Sequence, residues 1–338
     1  MLIRAKLPAS FLRALAPVMF ILLIPTLLMG FQAVDKYDFV VAKDGSGDFT
    51  SVQDAIDAVP VFRDNETVIY IRKGVYKEKL TLPPNKTNVT FIGEDVEETI
   101  LTFDDYSSKT NQFGEELGTT GSSSFFLFGD DFTAKNITFQ NSAGRVGQAV
   151  ALRVNGDRAV FINCRFLGDQ DTLYTHGSES RQYYKDSYIE GTTDFIFGSS
   201  TAVFENCEIV SKKKKGSYIT AASTPEGKAF GYVFINSRFT AKPDVAEQTY
   251  YLGRPWRPHA KVVLINSYLD SHIRSSGWHN WNDPAKEETV FYAEFENEGT
   301  GFHPEKRVKW SAQLTTEEAS AYTLETIFNG WNPLERIE

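Results

Sequence analysis

One phrase keeps returning in this chain, and its return limits the fold more than any other feature. Val160-Phe161-Ile162-Asn163-Cys164-Arg165-Phe166 comes back as Val203-Phe204-Glu205-Asn206-Cys207-Glu208-Ile209. It returns again as Val233-Phe234-Ile235-Asn236-Ser237-Arg238-Phe239 and Val263-Leu264-Ile265-Asn266-Ser267-Tyr268-Leu269. With weaker copies around Asn136 and Asp186, the polar residue stands at 136, 163, 186, 206, 236 and 266, at intervals of 27, 23, 20, 30 and 30. Short apolar phrases at such spacing, with one polar residue at a fixed place, describe a parallel β-solenoid. Each coil adds short strands to long sheets and buries its apolar face against the coils above and below. The amide column can hydrogen-bond from rung to rung. A β-sandwich also repeats strands, but nothing in it calls for an Asn phrase four times in the same context.

A solenoid's ends need covers. Thr50-Ser51-Val52-Gln53 is a capping-box pattern, and Val52, Ala55, Ile56 and Val59 share a helical face before Pro60, so a short helix is expected to plug the N-terminal end. Thr315-Thr316-Glu317-Glu318 opens a second helical stretch, expected to lie along the side of the barrel. Lys212 to Lys215 reads as a solvated loop, and the Gly/Ser/Thr-rich stretch 114–124 as a loop beside a cleft. Cys164 and Cys207 hold the same phrase position with the Asp186 coil between them. Two rungs put them roughly 9.6 Å apart, beyond the reach of a disulfide at about 7 Å. Free, buried thiols are expected.

Arg4, Lys6 and Arg13 precede an uncharged run from Ala14 to Val34. A basic start before an apolar stretch reads as a signal peptide over residues 1–33, with an uncleaved anchor as the alternative. The body, 34–338, is then expected to work outside the cytoplasm, secreted or periplasmic, without lasting membrane contact. Its 35 basic against 44 acidic residues give a formal net charge of −9, which argues against a nucleic-acid partner.

Register then places the chemistry. Asp171 lies eight residues beyond Asn163, and Asp194 eight beyond Asp186. Equal offsets on successive coils put both carboxylates on one face, about a rung apart. Gln148 and Gln170 differ by 22, again about one coil. As ladder residues the four would only satisfy backbone groups. As a site, a carboxylate pair could serve a glycosidase around a cation-like transition state, or acyl transfer with one nucleophile and one acid/base. The amides separate these readings, because Gln NH₂ groups stabilise a developing oxyanion and do little for an oxocarbenium ion. Ester hydrolysis is favoured.

Five motifs occur in order: Gly74-Val75-Tyr76-Lys77-Glu78, Gln148-Ala149-Val150-Ala151-Leu152-Arg153, Gln170-Asp171-Thr172-Leu173-Tyr174, Asp194-Phe195-Ile196-Phe197-Gly198 and Leu252-Gly253-Arg254-Pro255-Trp256. Together they resemble the pectinesterases (pectin methylesterases), with matching segments from about Asp44 to Trp331. The resemblance implies an all-β, right-handed single-stranded parallel β-helix that de-esterifies methylated homogalacturonan without metal or organic cofactor. It implies Asp194 as nucleophile, Asp171 as proton donor and later base, and Gln148 and Gln170 as oxyanion holders. Arg254 would orient Asp194, and Thr119, Gln148, Arg254 and Trp256 would contact substrate. Phe195, Trp278 and Trp281 are further candidate sugar platforms. Arg254 is expected to hold the Asp194 pKa down, while like charge raises that of Asp171. Thr193 stands where the family more often has Val. About 34 residues precede the body, so no inhibitor-like pro-domain of the kind common in plant members is expected. A monomer is expected, since a capped solenoid has no obligatory edge to pair.

Overall fold

The computed structural model describes Met1 and residues 37–336; the segment read as a signal or anchor lies outside the described residues. Equivalent strands of successive coils pair in parallel, giving three long sheets of eleven, eight and seven strands. One coil illustrates the path: Ala159–Ile162 in the first sheet, Arg165–Leu167 in the second and Leu173–Thr175 in the third. The chain then re-enters the first sheet at Arg181–Lys185. This is the expected right-handed parallel β-helix. Because parallel register puts like positions over one another, inward side chains stack into continuous columns. Phe161, Tyr184, Phe204 and Phe234 follow at centroid spacings of 4.9, 4.7 and 4.6 Å with nearly parallel rings.

The Asn column sits at the turn between the first and second sheets. Asn136, Asn163, Asp186, Asn206, Asn236 and Asn266 all have φ between 49° and 58°. That left-handed conformation is one that Asn and Asp tolerate better than other side chains, so the column is first a backbone requirement. The amides also bond along the axis, Asn163 donating to Asn136 at 2.7 Å and Asn206 to Asp186 at 3.3 Å. Glu296 takes the same place one coil further on, with φ 45°; its different side chain hid it from the repeat. Cys164 and Cys207 are free and buried, and burial pushes both thiols up to about 12.

Helix α1 (Val52–Ala58) buries Val52, Ala55 and Ile56. Its cap is Ser51, whose hydroxyl accepts from the Asp54 amide at 3.1 Å, one residue later than the Thr50 pattern implied. The Glu78 carboxylate adds bonds from the Val52 and Gln53 amides at 3.0 and 2.9 Å. Helix α2 (Gly118–Gly121) is a single turn inside the expected loop. The tail forms two further single turns, α3 (Thr316–Ala319), with Thr315 and Glu318 in a capping box, and α4 (Leu324–Ile327). Ile327 and Phe328 bury against Val160, Val203, Val233 and Val263 on the outer face of the first sheet. Lys212 departs from the solvated-loop reading. Its ammonium donates to the Gly168 carbonyl at 2.9 Å and pairs with Asp169 at 3.1 Å, because coil stacking brings three turns together there. Lys213, Lys214 and Lys215 are exposed as expected.

Candidate active site

The turn from the second to the third sheet carries the carboxylates. Leu173 pairs with Ile196, so Asp171 and Asp194, each two residues earlier, share one register. Both are in the left-handed region, at φ 64° and 49°. Parallel-sheet bonds continue through the turn, from the Asp171 amide to the Thr193 carbonyl at 3.0 Å and from the Asp194 amide to the Tyr218 carbonyl at 2.8 Å. The turn is too tight for a side chain at Gly191, where an added Cβ would lie 2.2 Å from that of Phe195. Gln148 and Gln170 form a parallel bridge, one coil apart as their spacing predicted. The Ser107 hydroxyl donates to Gln148 Oε1 at 2.9 Å, which ties back the carbonyl end and leaves the NH₂ end as the free donor.

Arg254 follows the last strand of the third sheet, Tyr250–Gly253. Its Nε and a terminal nitrogen donate to the two Asp194 oxygens at 3.0 and 2.6 Å. The guanidinium is held flat between two rings, 3.8 Å from the centre of Tyr218 and 3.6 Å from that of Trp281. Such a sandwich fixes the plane of the fork and hence the carboxylate it grips.

These groups meet in one cleft of about 470 Å³, lined by Thr119, Gln148, Gln170, Asp171, Asp194, Arg254 and Trp256. Trp281 also lines it, but the other two candidate platforms do not. Phe195, one residue beyond Asp194, turns inward and is fully buried; Trp278 is 1% exposed and packs on Tyr292. Sequence reasoning missed Tyr174 and Phe197, which stack at 4.2 Å on the cleft floor. The signal was available, since each lies three residues after one of the paired aspartates. Ser107 had no such signal.

The two carboxyls differ electrostatically. Burial pushes Asp171 well above the usual carboxylate range, the nearby Asp194 adds to this, and the Arg254 charge opposes it. Burial also raises Asp194, while its hydrogen bonds to Arg254 and the charge behind them pull it back. Arg254 thus lowers Asp194 as expected, and desolvation, which the sequence did not disclose, outweighs it. Of the two, only Asp194 has a guanidinium hydrogen-bonded to it against that rise. Among the described residues no group of three or more His, Cys, Asp or Glu side chains is placed to hold a metal ion. None of the described helices is long and apolar enough to cross a membrane.

The pectinesterase family model matches residues 38–331. The chain belongs to the pectinesterase family. Pectinesterase 31 of Arabidopsis thaliana is 44% identical over 288 residues, covering 83% of this chain and 89% of that relative. A pectinesterase/pectinesterase inhibitor of Prunus persica is 38% identical over 88% of this chain, which spans 58% of that longer protein. Among solved structures, pectin methylesterase from carrot superposes with a TM-score of 0.81 at 34% identity, over 88% of this chain and 95% of that one. The pectin methylesterase of Erwinia chrysanthemi gives 0.78 at 31%, over 88% and 98%. Within this pectinesterase, the departure at Thr193 is absorbed locally. Its hydroxyl meets that of Ser217 at 2.8 Å, and Ser217 donates onward to the Thr192 carbonyl.

Proposed function

We propose that this pectinesterase hydrolyses the methyl esters of homogalacturonan, yielding free carboxylates and methanol, with Asp194 as nucleophile. An ionised Asp194 oxygen attacks the C6 carbonyl carbon, and the carbonyl electron pair moves to oxygen. The NH₂ groups of Gln148 and Gln170 receive that oxyanion. Collapse breaks the bond to the methoxy oxygen, which takes the Asp171 proton and leaves as methanol. The acyl group now rests on Asp194. Asp171, as carboxylate, takes a proton from water, whose oxygen attacks the acyl carbon and releases Asp194 and the uronate.

The observation that carries this reading is the unequal treatment of two stacked carboxyls. Arg254 grips Asp194 alone, and Asp171 is the more strongly raised of the two, so one can be an anion while its neighbour holds a proton. Thr119 and Trp256 would contact the sugar chain. The basic and then apolar N-terminal segment supports work outside the cytoplasm, at a cell wall, and the covered solenoid supports a monomer. A solved pectin methylesterase, 31% identical, binds a hexasaccharide, which supports the polymer as substrate.

The decisive experiment follows methanol and chain length together, with highly methylated pectin and with Asp194→Asn beside the wild type. Methanol from chains of unchanged length, abolished in the variant, is expected. Shortened chains without methanol would mean that a glycosidic bond is the target.

A further inference from the structure

Trp281, one of the two rings that clamp Arg254, has φ 63°, and Asn282 after it has φ 57°. A bulky residue stays in the left-handed region only where its surroundings hold it there. Two side chains do so. Asn280 Oδ1 accepts from the Asn282 amide at 2.9 Å, and His279 Nδ1 accepts from the Trp281 amide at 3.0 Å. His279 is fixed in its turn, because its own amide donates to the carbonyl of Gly253, the residue before Arg254, at 3.1 Å. Its ring centre lies 5.3 Å from that of Tyr218 and 5.1 Å from that of Tyr251. Tyr218 is the other ring of the clamp. One imidazole therefore bonds to the backbone of one clamping residue and packs against the ring of the other.

Only an unprotonated Nδ1 can accept, so the proton of the neutral ring sits on Nε2. Loss of water first, and then the Arg254 and Arg274 charges that face the ring, hold the His279 pKa below its ordinary value. Among the described residues no carboxylate oxygen lies within 4.0 Å of its nitrogens to oppose them. The nearby acids are spent elsewhere. Glu287 accepts from Asn280 at 2.7 Å, and Asp283 pairs at 3.9 Å with Lys286, whose ammonium stands 5.5 Å from the Trp281 ring centre.

We propose that His279 is a positioning residue of the esterase, which holds Trp281 on Arg254 while Nδ1 is free and releases it when that nitrogen takes a proton. The inference rests on the esterase reading. In the protonated state the Trp281 N–H faces a donor, and a third cation stands beside two. The clamp opens on one side, and the fork that grips Asp194 loses its fixed plane. At neutral pH the imidazole is uncharged and the clamp is closed. Acid thus lowers turnover by a route separate from protonation of Asp194 itself.

The test compares kcat for methanol release from highly methylated pectin across pH in wild type, His279→Leu and His279→Asn. Leu removes the acceptor at every pH. At pH 8 it should lower kcat about tenfold, the low end of what the loss of an outer partner costs a metal site. Asn reaches the amide two residues on, as Asn280 already does, and does not titrate. It should restore most of that loss at pH 8. The ratio of His279→Asn to wild-type kcat should then rise about tenfold toward acid, and the titrations of Asp194 and of the polymer cancel in that ratio. Without substrate, the fluorescence that Trp281→Phe removes should titrate at the midpoint of the same ratio in wild type, and not titrate in His279→Asn. A ratio that stays flat with pH overturns the proposal, as does full kcat in folded His279→Leu at pH 8. Should His279→Leu not fold, a Trp281 signal that titrates alike in wild type and His279→Asn overturns it alone. No methanol from wild type at any pH removes the esterase reading, and the fluorescence titration still decides whether His279 holds Trp281.

Discussion

Arg254 reaches Asp194 through two hydrogen bonds, while only its more distant charge reaches Asp171. Removing it should therefore act on the chemistry rather than on capture of the polymer. In Arg254→Ala the buried Asp194 loses the one group that opposes desolvation, so its pKa climbs and the acid limb of the kcat profile should move to higher pH. Turnover should fall about 10²-fold, by analogy with the loss of one transition-state donor, while KM changes far less. A raised KM with unchanged kcat would contradict the assignment. Asp171 allows a test in the opposite direction. Its pKa is raised on folding, so its contribution is fully present below the unfolded value of about 3.9. It is lost as pH climbs toward the folded value. Asp171→Asn cannot ionise, so it should be inactive yet more stable at pH 7, with a Tm gain of roughly 2–4 °C for each kcal/mol recovered. The gain should vanish near pH 3. Equal melting temperatures at both pH values would mean that Asp171 is not held protonated by the fold.

The turns explain what the sequence could and could not disclose. Asn163, Asn206, Asn236 and Asn266 were legible because a left-handed turn at one place in every coil selects the same short polar side chain. The eight-residue offsets to Asp171 and Asp194 were legible because second-sheet strands of similar length separate the two turns. Tyr174 and Phe197 were harder, since an outward aromatic on a three-residue strand looks like an inward one until register is known. Trp278 erred the other way, an aromatic read as a platform that the core claims. Ser107 reaches Gln148 across 41 residues, and no local pattern carries such a contact. The motif Gly74 to Glu78 shows that a family signature need not touch substrate. It ends in a carboxylate that accepts from two amides at the start of α1. Glu78→Ala should cost about 1–2 kcal/mol, as lost caps do. Urea unfolding should show this as a lower midpoint at constant slope, with kcat/KM unchanged. Loss of activity without loss of stability would assign Glu78 a different role.

At the scale of the whole molecule, the packed interior and the cleft lie on separate faces, and this separates stability from catalysis. Stacked columns fill the solenoid, yet the first sheet also turns an apolar stripe outward through Val160, Val203, Val233 and Val263. An exposed stripe of that kind invites association. The tail covers it: Phe328 is fully buried there, edge-on to Tyr183, and its carbonyl accepts from Arg181, which itself lies over Trp331. The catalytic candidates stand along the third sheet, and no described tail residue lines their cleft. Phe328→Ala should therefore destabilise by about 3–5 kcal/mol, the usual cost of emptying a buried phenylalanine site. It should also uncover the stripe, so that heating ends in aggregation at a lower temperature. Methanol release at 25 °C by the folded variant should match wild type in both kcat and KM. Scattering-monitored melts beside initial rates decide the matter. A variant that keeps its melting temperature would mean the tail is only an appendage, and one that loses kcat while folded would mean the first sheet's outer face communicates with the cleft.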